Sequence, residues 1–247
     1  MRLCWRRRFL HCQIQHWRAA LSASGASGPA PCPGSFALTR MSEGDIERAV
    51  AELARGGAVV YPTETVYGLG VDPANEAAME LLFALKGGRR GSGISLLVEG
   101  IETAERLCEG GLRGAARRLA ERFWPGPLTL IVPASRMVPQ AAVGPTGGVG
   151  LRCSSDPVAA ELVAAAGRPI TATSANPTGR PPAASVAEAR RYFRERVAVY
   201  LDGGPRAIEQ VSTVVEFLGG RAYLRRSGAI GADAIAAVVP SLEQSIG

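Results

Sequence analysis

Histidine is missing from all but the start of the chain: of 247 residues only His11 and His16 are histidine, both within the first 40. If the function lies beyond that point, histidine-dependent triads and His-ligated zinc sites are excluded there. Cysteine is almost as scarce. Only Cys108 and Cys153 of the five fall after residue 40, which argues against a disulfide framework and fits reduced thiols in a cytosol-like compartment. Lysine occurs once, as Lys86. No apolar run approaches the roughly 20 residues of a membrane-spanning helix. There is no GxxxxGK[ST] loop, no GxGxxG after a strand, no GxSxG elbow and no metal-ligand spacing. Nucleotide binding, if present, must use another architecture.

The net charge of +6 comes from one segment. Residues 1–40 carry six arginines (Arg2, Arg6, Arg7, Arg8, Arg18, Arg40) and no acid; with these set aside, 22 basic residues face 22 acidic ones. The remainder is neutral, so global charge gives no argument for duplex nucleic-acid binding, although a local basic groove is open. The Arg-rich, acid-free start passes into an Ala/Ser/Gly/Pro stretch, which suits either a mitochondrial transit peptide or an over-long reading frame with its true start at Met41. Residues 1–40 are expected to be a disordered extension and 41–247 a single catalytic domain, cytoplasmic unless the extension is a transit peptide.

What is present is a 47% apolar chain with helical and strand-like stretches in alternation. The apolar spacing predicts helices over 44–55, 75–86, 101–108, 113–123, 157–166, 185–195 and 232–239. Asn75 and Asp156 stand as N-caps, with Pro157 at the first helical position. Short Val/Ile/Leu-rich strands are predicted at 58–61, 94–98, 128–132, 149–153, 169–172 and 198–201, with a hairpin of 213–217 and 222–224. The fold class is α/β: one twisted mixed sheet with helices packed on it.

Four segments carry chemistry-bearing residues. Tyr61-Pro62-Thr63-Glu64-Thr65-Val66-Tyr67-Gly68-Leu69-Gly70 sets hydroxyls, a carboxylate and a phenol in a rigid turn, which suits a small polar ligand or an ordinary self-bonded turn. Lys86, Arg89 and Arg90 sit in a glycine loop, a polyphosphate site or a solvated basic loop. Arg152 ends the apolar run Val149-Gly150-Leu151, poised to clamp a carboxylate or phosphate, or to make a structural ion pair. Thr171-Ala172-Thr173-Ser174-Ala175-Asn176-Pro177-Thr178-Gly179 offers backbone N–H groups to an anion, or is a capped turn.

In this order the segments, together with RFWPGPLTLIV, STVV and LRRSGAI, resemble the YrdC-like family of threonylcarbamoyl-AMP synthases over roughly residues 43–235. The resemblance implies an α/β fold with an open electropositive groove. It implies substrates L-threonine, bicarbonate and ATP, the last with Mg²⁺ bound through the triphosphate. The product is threonylcarbamoyl-adenylate, and a partner complex passes its threonylcarbamoyl group to tRNA. By the same resemblance Thr65, Thr63, Tyr67, Arg152 and Ser212 form the threonine site. Lys86, Arg89, Arg90, Ser92, Ser174, Asn176 and Arg226 form the ATP site, with Lys86 as the phosphate cation. The family string Lys-x-Arg-Pro-x-x-x-Pro-Leu is altered here to Lys86-Gly87-Gly88-Arg89-Arg90-Gly91-Ser92-Gly93-Ile94, which keeps the cations and loses the rigid turn. A catalytically weak RNA- or nucleotide-binding protein of the same fold is the alternative.

Overall fold

The computed structural model describes residues 43–88, 91, 93–207 and 210–244. The expectations for residues 1–40 and for Arg89, Arg90 and Ser92 lie outside the described residues.

Seven α-helices and eleven strands follow in chain order among the described residues. Helix α1 (Glu43–Ala54) buries Ile46, Ala49 and Leu53 at helical spacing. The chain then turns at Gly56, whose φ of 82° favours glycine. Strand β1 (Val59–Tyr61) is wholly buried, and β2 (Gly68–Gly70) pairs with it antiparallel. The glycines of β2 answer to Tyr61, since a Cβ on Gly68 would stand 2.6 Å from Cζ of that ring. Helix α2 (Glu76–Lys86) starts on the Asn75 side chain, which accepts from Ala78 N, and ends at a left-handed Gly87. Then come β3 (Leu96–Leu97), α3 (Ile101–Leu107), α4 (Gly114–Phe123), β4 (Leu128–Pro133) and β5 (Gly148–Arg152). Asp156 accepts from Val158 N and Ala159 N to open α5 (Pro157–Ala166), as its sequence predicts. Last are β6 (Ile170–Thr171), β7 (Thr173–Ser174), α6 (Val186–Phe193), β8 (Val199–Tyr200), β9 (Thr213–Leu218), β10 (Arg221–Arg226), α7 (Ala232–Val238) and β11 (Leu242–Gln244).

The α/β class holds, but the strands divide between two sheets. One has the order β7-β2-β1-β8 and the other β11-β10-β9-β4-β5-β3-β6, with parallel and antiparallel pairs in both. The predicted strand 169–172 is shortened to β6, and a second strand, β7, follows just beyond it. The chain leaves one sheet at Thr171 and enters the other at Thr173, with Ala172 N bonded to Ser95 O at 2.7 Å. Thr171 ties this junction together. Its amide donates to Val71 O (3.0 Å), its hydroxyl donates to Leu69 O (3.0 Å) and accepts from Val71 N (3.0 Å), and its carbonyl accepts from Tyr61 Oη (2.9 Å). The predicted strand 94–98 shrinks to Leu96–Leu97, because Gly93 is left-handed (φ 70°) and Ile94 N bonds to Ala142 O in a loop. Helix α6 stops at Phe193, earlier than predicted, where Arg194 takes a φ of 48°.

Two apolar clusters fill the interior. The smaller joins α1 and α5 to β1 and β8 through Leu53, Leu162, Val59 and Val199. Full burial of each such leucine is worth about 1.5–3 kcal/mol.

Candidate active site

A row of paired residues crosses the larger sheet. Leu97 is opposite Arg152, Arg152 opposite Thr129, Thr129 opposite Val214, and Val214 opposite Arg226. Residues in register across neighbouring strands share a face. All five line one cleft of about 320 Å³. The Tyr61–Gly68 turn forms the facing wall, and Thr173, Ser174 and Ser212 border it too. Two arginines and seven hydroxyl-bearing Ser or Thr residues line this cleft and, among the described residues, no carboxylate does, so it suits an anionic ligand.

The turn is ordered by its own hydroxyls. Thr63 Oγ1 donates to Val66 O (2.6 Å) and accepts from Thr65 N (3.2 Å) and Val66 N (3.3 Å). Its proton and both lone pairs are thus committed. Thr65 Oγ1 accepts from Arg152 Nη2 at 2.8 Å and lies 3.1 Å from Thr63 Oγ1. Because the Thr63 proton goes to Val66 O, Thr65 is the donor in the contact between the two hydroxyls.

Arg152 is 7% exposed. Its Nη2 also stands 3.1 Å from Glu64 Oε1, and the other oxygen of Glu64 accepts from Ser154 Oγ. Neither Arg152 Nε nor Glu64 Oε1 has a hydrogen-bond partner among the described residues. The pair is close but not bidentate, which leaves the guanidinium with donor capacity to spare. On the same sheet face Arg226 donates from Nε to Ser212 O (3.0 Å) and from Nη2 to Ser212 Oγ (2.8 Å). Ser212 Oγ in turn lies 3.1 Å from Thr129 Oγ1. Burial and the positive charge of Arg152 both pull the Arg226 guanidinium below its ordinary pKa.

The structure brings Thr63, Thr65, Tyr67, Arg152, Ser174, Ser212 and Arg226 to one cleft, as the sequence predicts. Tyr67 contributes its body rather than its hydroxyl. That hydroxyl donates to Gly204 O (2.8 Å) and accepts from Gly203 N (3.2 Å), and burial pushes it up to about 12. Lys86 and Asn176 do not line the cleft. Lys86 Nζ bonds to Ser174 O at 2.8 Å, and burial lowers the ammonium to about 8. Asn176 Nδ2 donates to Pro177 O (3.0 Å) and Arg180 O (2.6 Å), which braces its own loop.

Sequence reasoning missed Tyr61, Ser95, Thr129 and Val214 as cleft residues. Thr129 left a trace: it is the lone polar residue in the apolar run Leu128–Val132. Glu64 was visible in its motif, but its bond to Arg152 depends on a register between residues 88 positions apart.

Residues 51–228 match the Sua5/YciO/YrdC family model, which is described as "Telomere recombination". A threonylcarbamoyl-AMP synthase of Halorhodospira halophila is 40% identical over 182 residues, which is 73% of this chain and 94% of the relative. The synthase of Thiobacillus denitrificans is 39% identical over 171 residues, 69% of this chain and 90% of its own. Among solved structures, P. abyssi Sua5 complexed with L-threonine superposes with a TM-score of 0.78 at 33% identity, over 83% of this chain and 60% of that one.

Proposed function

The chain belongs to the Sua5/YciO/YrdC family, and from that premise we propose that it is a threonylcarbamoyl-AMP synthase. It joins L-threonine, bicarbonate and ATP and releases pyrophosphate. One observation carries the reading: the bond from Arg152 to Thr65, set in a cleft with Ser174, Ser212 and Arg226 around it.

The chemistry asks for no protein nucleophile. The threonine amine attacks the carbon of carbon dioxide with loss of a proton, or that of bicarbonate with loss of water, to give a carbamate. A carbamate oxygen then attacks the α-phosphorus, and pyrophosphate leaves. Such a reaction is accelerated by holding the reactants together and by neutralising charge on phosphate oxygens. Arg152, with Thr65 alongside, receives the threonine carboxylate. Arg226 and Ser174 face the nucleotide, and Ser212 joins the two halves through its bonds to Arg226 and Thr129. Mg²⁺ would arrive on the triphosphate, since among the described residues the cleft lining holds no carboxylate to bind it. The arrangement fits a single catalytic domain over residues 41–247, whose product a partner complex uses to modify tRNA. No helix among the described residues is long and apolar enough to cross a membrane.

The test is pyrophosphate release by the full chain with ATP and bicarbonate, with and without threonine. Threonine-dependent release supports the synthase. Retained ATP or RNA binding with no turnover would favour a binding protein of the same fold, which the altered Lys86–Ile94 string makes the second reading.

A further inference from the structure

We propose that Arg206 is a positioning residue for the amino-acid substrate. It fastens the Asp202–Arg206 segment as a strap behind the Thr63–Tyr67 turn and, through Asp156, steadies the Glu64 carboxylate that faces Arg152. The inference rests on the synthase reading for its substrate, and the contacts that carry it lie outside the cleft.

Neither Arg206 nor Asp156 lines the cleft. The strap follows β8, and its start is fixed where Leu201 N donates to Val60 O at 2.9 Å. It then meets the turn at two points. Tyr67 Oη donates to Gly204 O (2.8 Å) and accepts from Gly203 N (3.2 Å). Gly203 lies so close to Pro62 that a Cβ there would stand 2.7 Å from Cγ of the proline.

Arg206 ties the strap down. Its Nη2 donates to Gly203 O (3.0 Å) and its amide donates to Ala184 O (2.8 Å). Its guanidinium carbon lies 5.8 Å from the centre of the Tyr67 ring, within reach of a cation–π attraction. Its Nη1 pairs with Oδ2 of the buried Asp156 at 2.9 Å.

From Asp156 the bonds run on to the cleft's central cation. Asp156 N donates to Ser154 Oγ (3.2 Å), Ser154 Oγ donates to Glu64 Oε2, and Glu64 Oε1 stands 3.1 Å from Arg152 Nη2. The senses agree, since the single proton of Ser154 goes to the glutamate and a lone pair takes the amide. The other oxygen of Asp156 accepts from Val158 N and Ala159 N at the start of α5. A carboxylate held by a guanidinium and two amides has little freedom to turn. One arginine thus holds the turn at two places, Tyr67 and Glu64. The nucleotide side of the cleft is bonded separately, through Arg226, Ser212 and Thr129. Loss of the strap should therefore fall on threonine and spare ATP.

The experiment measures the Kd of the full-length chain for threonine without nucleotide and for ATP without threonine. Arg206→Met keeps the aliphatic stem and removes the charge. Its threonine Kd should rise at least threefold while its ATP Kd stays within twofold of wild type. Hydrogen exchange across residues 63–67, read without substrate, should quicken at least fivefold. Arg206→Lys can still pair with Asp156 and should recover part of the lost threonine affinity. Asp156→Asn keeps an oxygen to cap α5 and loses the ion pair; combined with Arg206→Met it should add little, because both act on one contact. Gly203→Ala leaves every charge in place, crowds Pro62 and should weaken threonine in the same sense, which keeps the proposal testable if Arg206→Met fails to fold by circular dichroism. An unchanged threonine Kd or unchanged exchange would overturn the proposal. So would a threonine Kd and an ATP Kd that rise together, since Arg206 would then support the fold at large. A wild-type chain that binds no threonine would count against the synthase reading, and the exchange comparison would still decide whether Arg206 holds the turn.

Discussion

Arg152 Nη2 lies 3.1 Å from Glu64 Oε1, yet that oxygen accepts no hydrogen bond and the arginine's Nε donates none. The cleft's central cation is therefore neutralised from behind while it keeps a free donor. Replacing Arg152 with Ala should raise the KM for threonine at least about tenfold, the scale of one charged hydrogen bond. Lysine should restore little of it, since a point charge cannot serve Thr65 and a carboxylate in one plane. Steady-state kinetics in threonine at saturating ATP reads the effect; an unchanged KM would remove Arg152 from the threonine site.

Glu64→Gln tests the other half of the pair. It leaves Arg152 buried beside Arg226 without a counter-charge. Loss of one partner of a buried pair costs on the order of 3 kcal/mol. Urea unfolding should show a lower midpoint at unchanged slope.

Thr129→Val keeps the shape of the side chain and deletes its hydroxyl. Ser212 Oγ then loses a partner at 3.1 Å and holds only Arg226. The expected cost is about 1 kcal/mol, roughly a fivefold fall in kcat/KM.

Gly93 stands where the family string given above has its second proline, and its backbone refuses one. Its φ is 70°, and an added Cβ would lie 2.9 Å from Gly144 Cα. Restoring the proline, or placing alanine there, should destabilise the chain by about 1–3 kcal/mol, read as a drop in Tm. No loss of stability would mean that this loop holds its shape by other contacts.

The Lys86 ammonium sits at about 8 against an ordinary 10.5, and burial is the cause. Burial disfavours the charged form in the fold, so the penalty is complete below about pH 8 and is relieved as pH rises from there toward 10.5. The stability of wild type relative to Lys86→Met should accordingly increase across that window. Chemical unfolding of both chains at pH 7.5 and pH 9.5 measures the difference, and a flat difference would contradict the burial.

Much of the site was legible in the sequence because it rests on local chemistry. Thr63, Thr65 and Ser174 lie in short polar segments bounded by proline and glycine, and the turn bonds of Thr63 span only three residues; Asn176, from the same kind of segment, braces its loop instead. Caps were legible for the same reason, at Asn75 and Asp156. The division into two sheets was not. It is decided at Thr171, whose partners Leu69 and Val71 lie about 100 positions away. The strands β2, β7 and β11 were likewise unreadable: a Gly-Leu-Gly strand has no β-propensity and exists because Tyr61 lies across it.

The crossing at Ala172 makes ligand affinity a gauge of assembly. Each sheet alone carries half of a binding surface, and a two-sided grip appears only once the halves are stitched at Thr171. A lesion at that stitch, such as Thr171→Val, would blunt affinity for small molecules while a helix such as α4, outside the apolar cluster that holds Ile170 and Ala172, persisted.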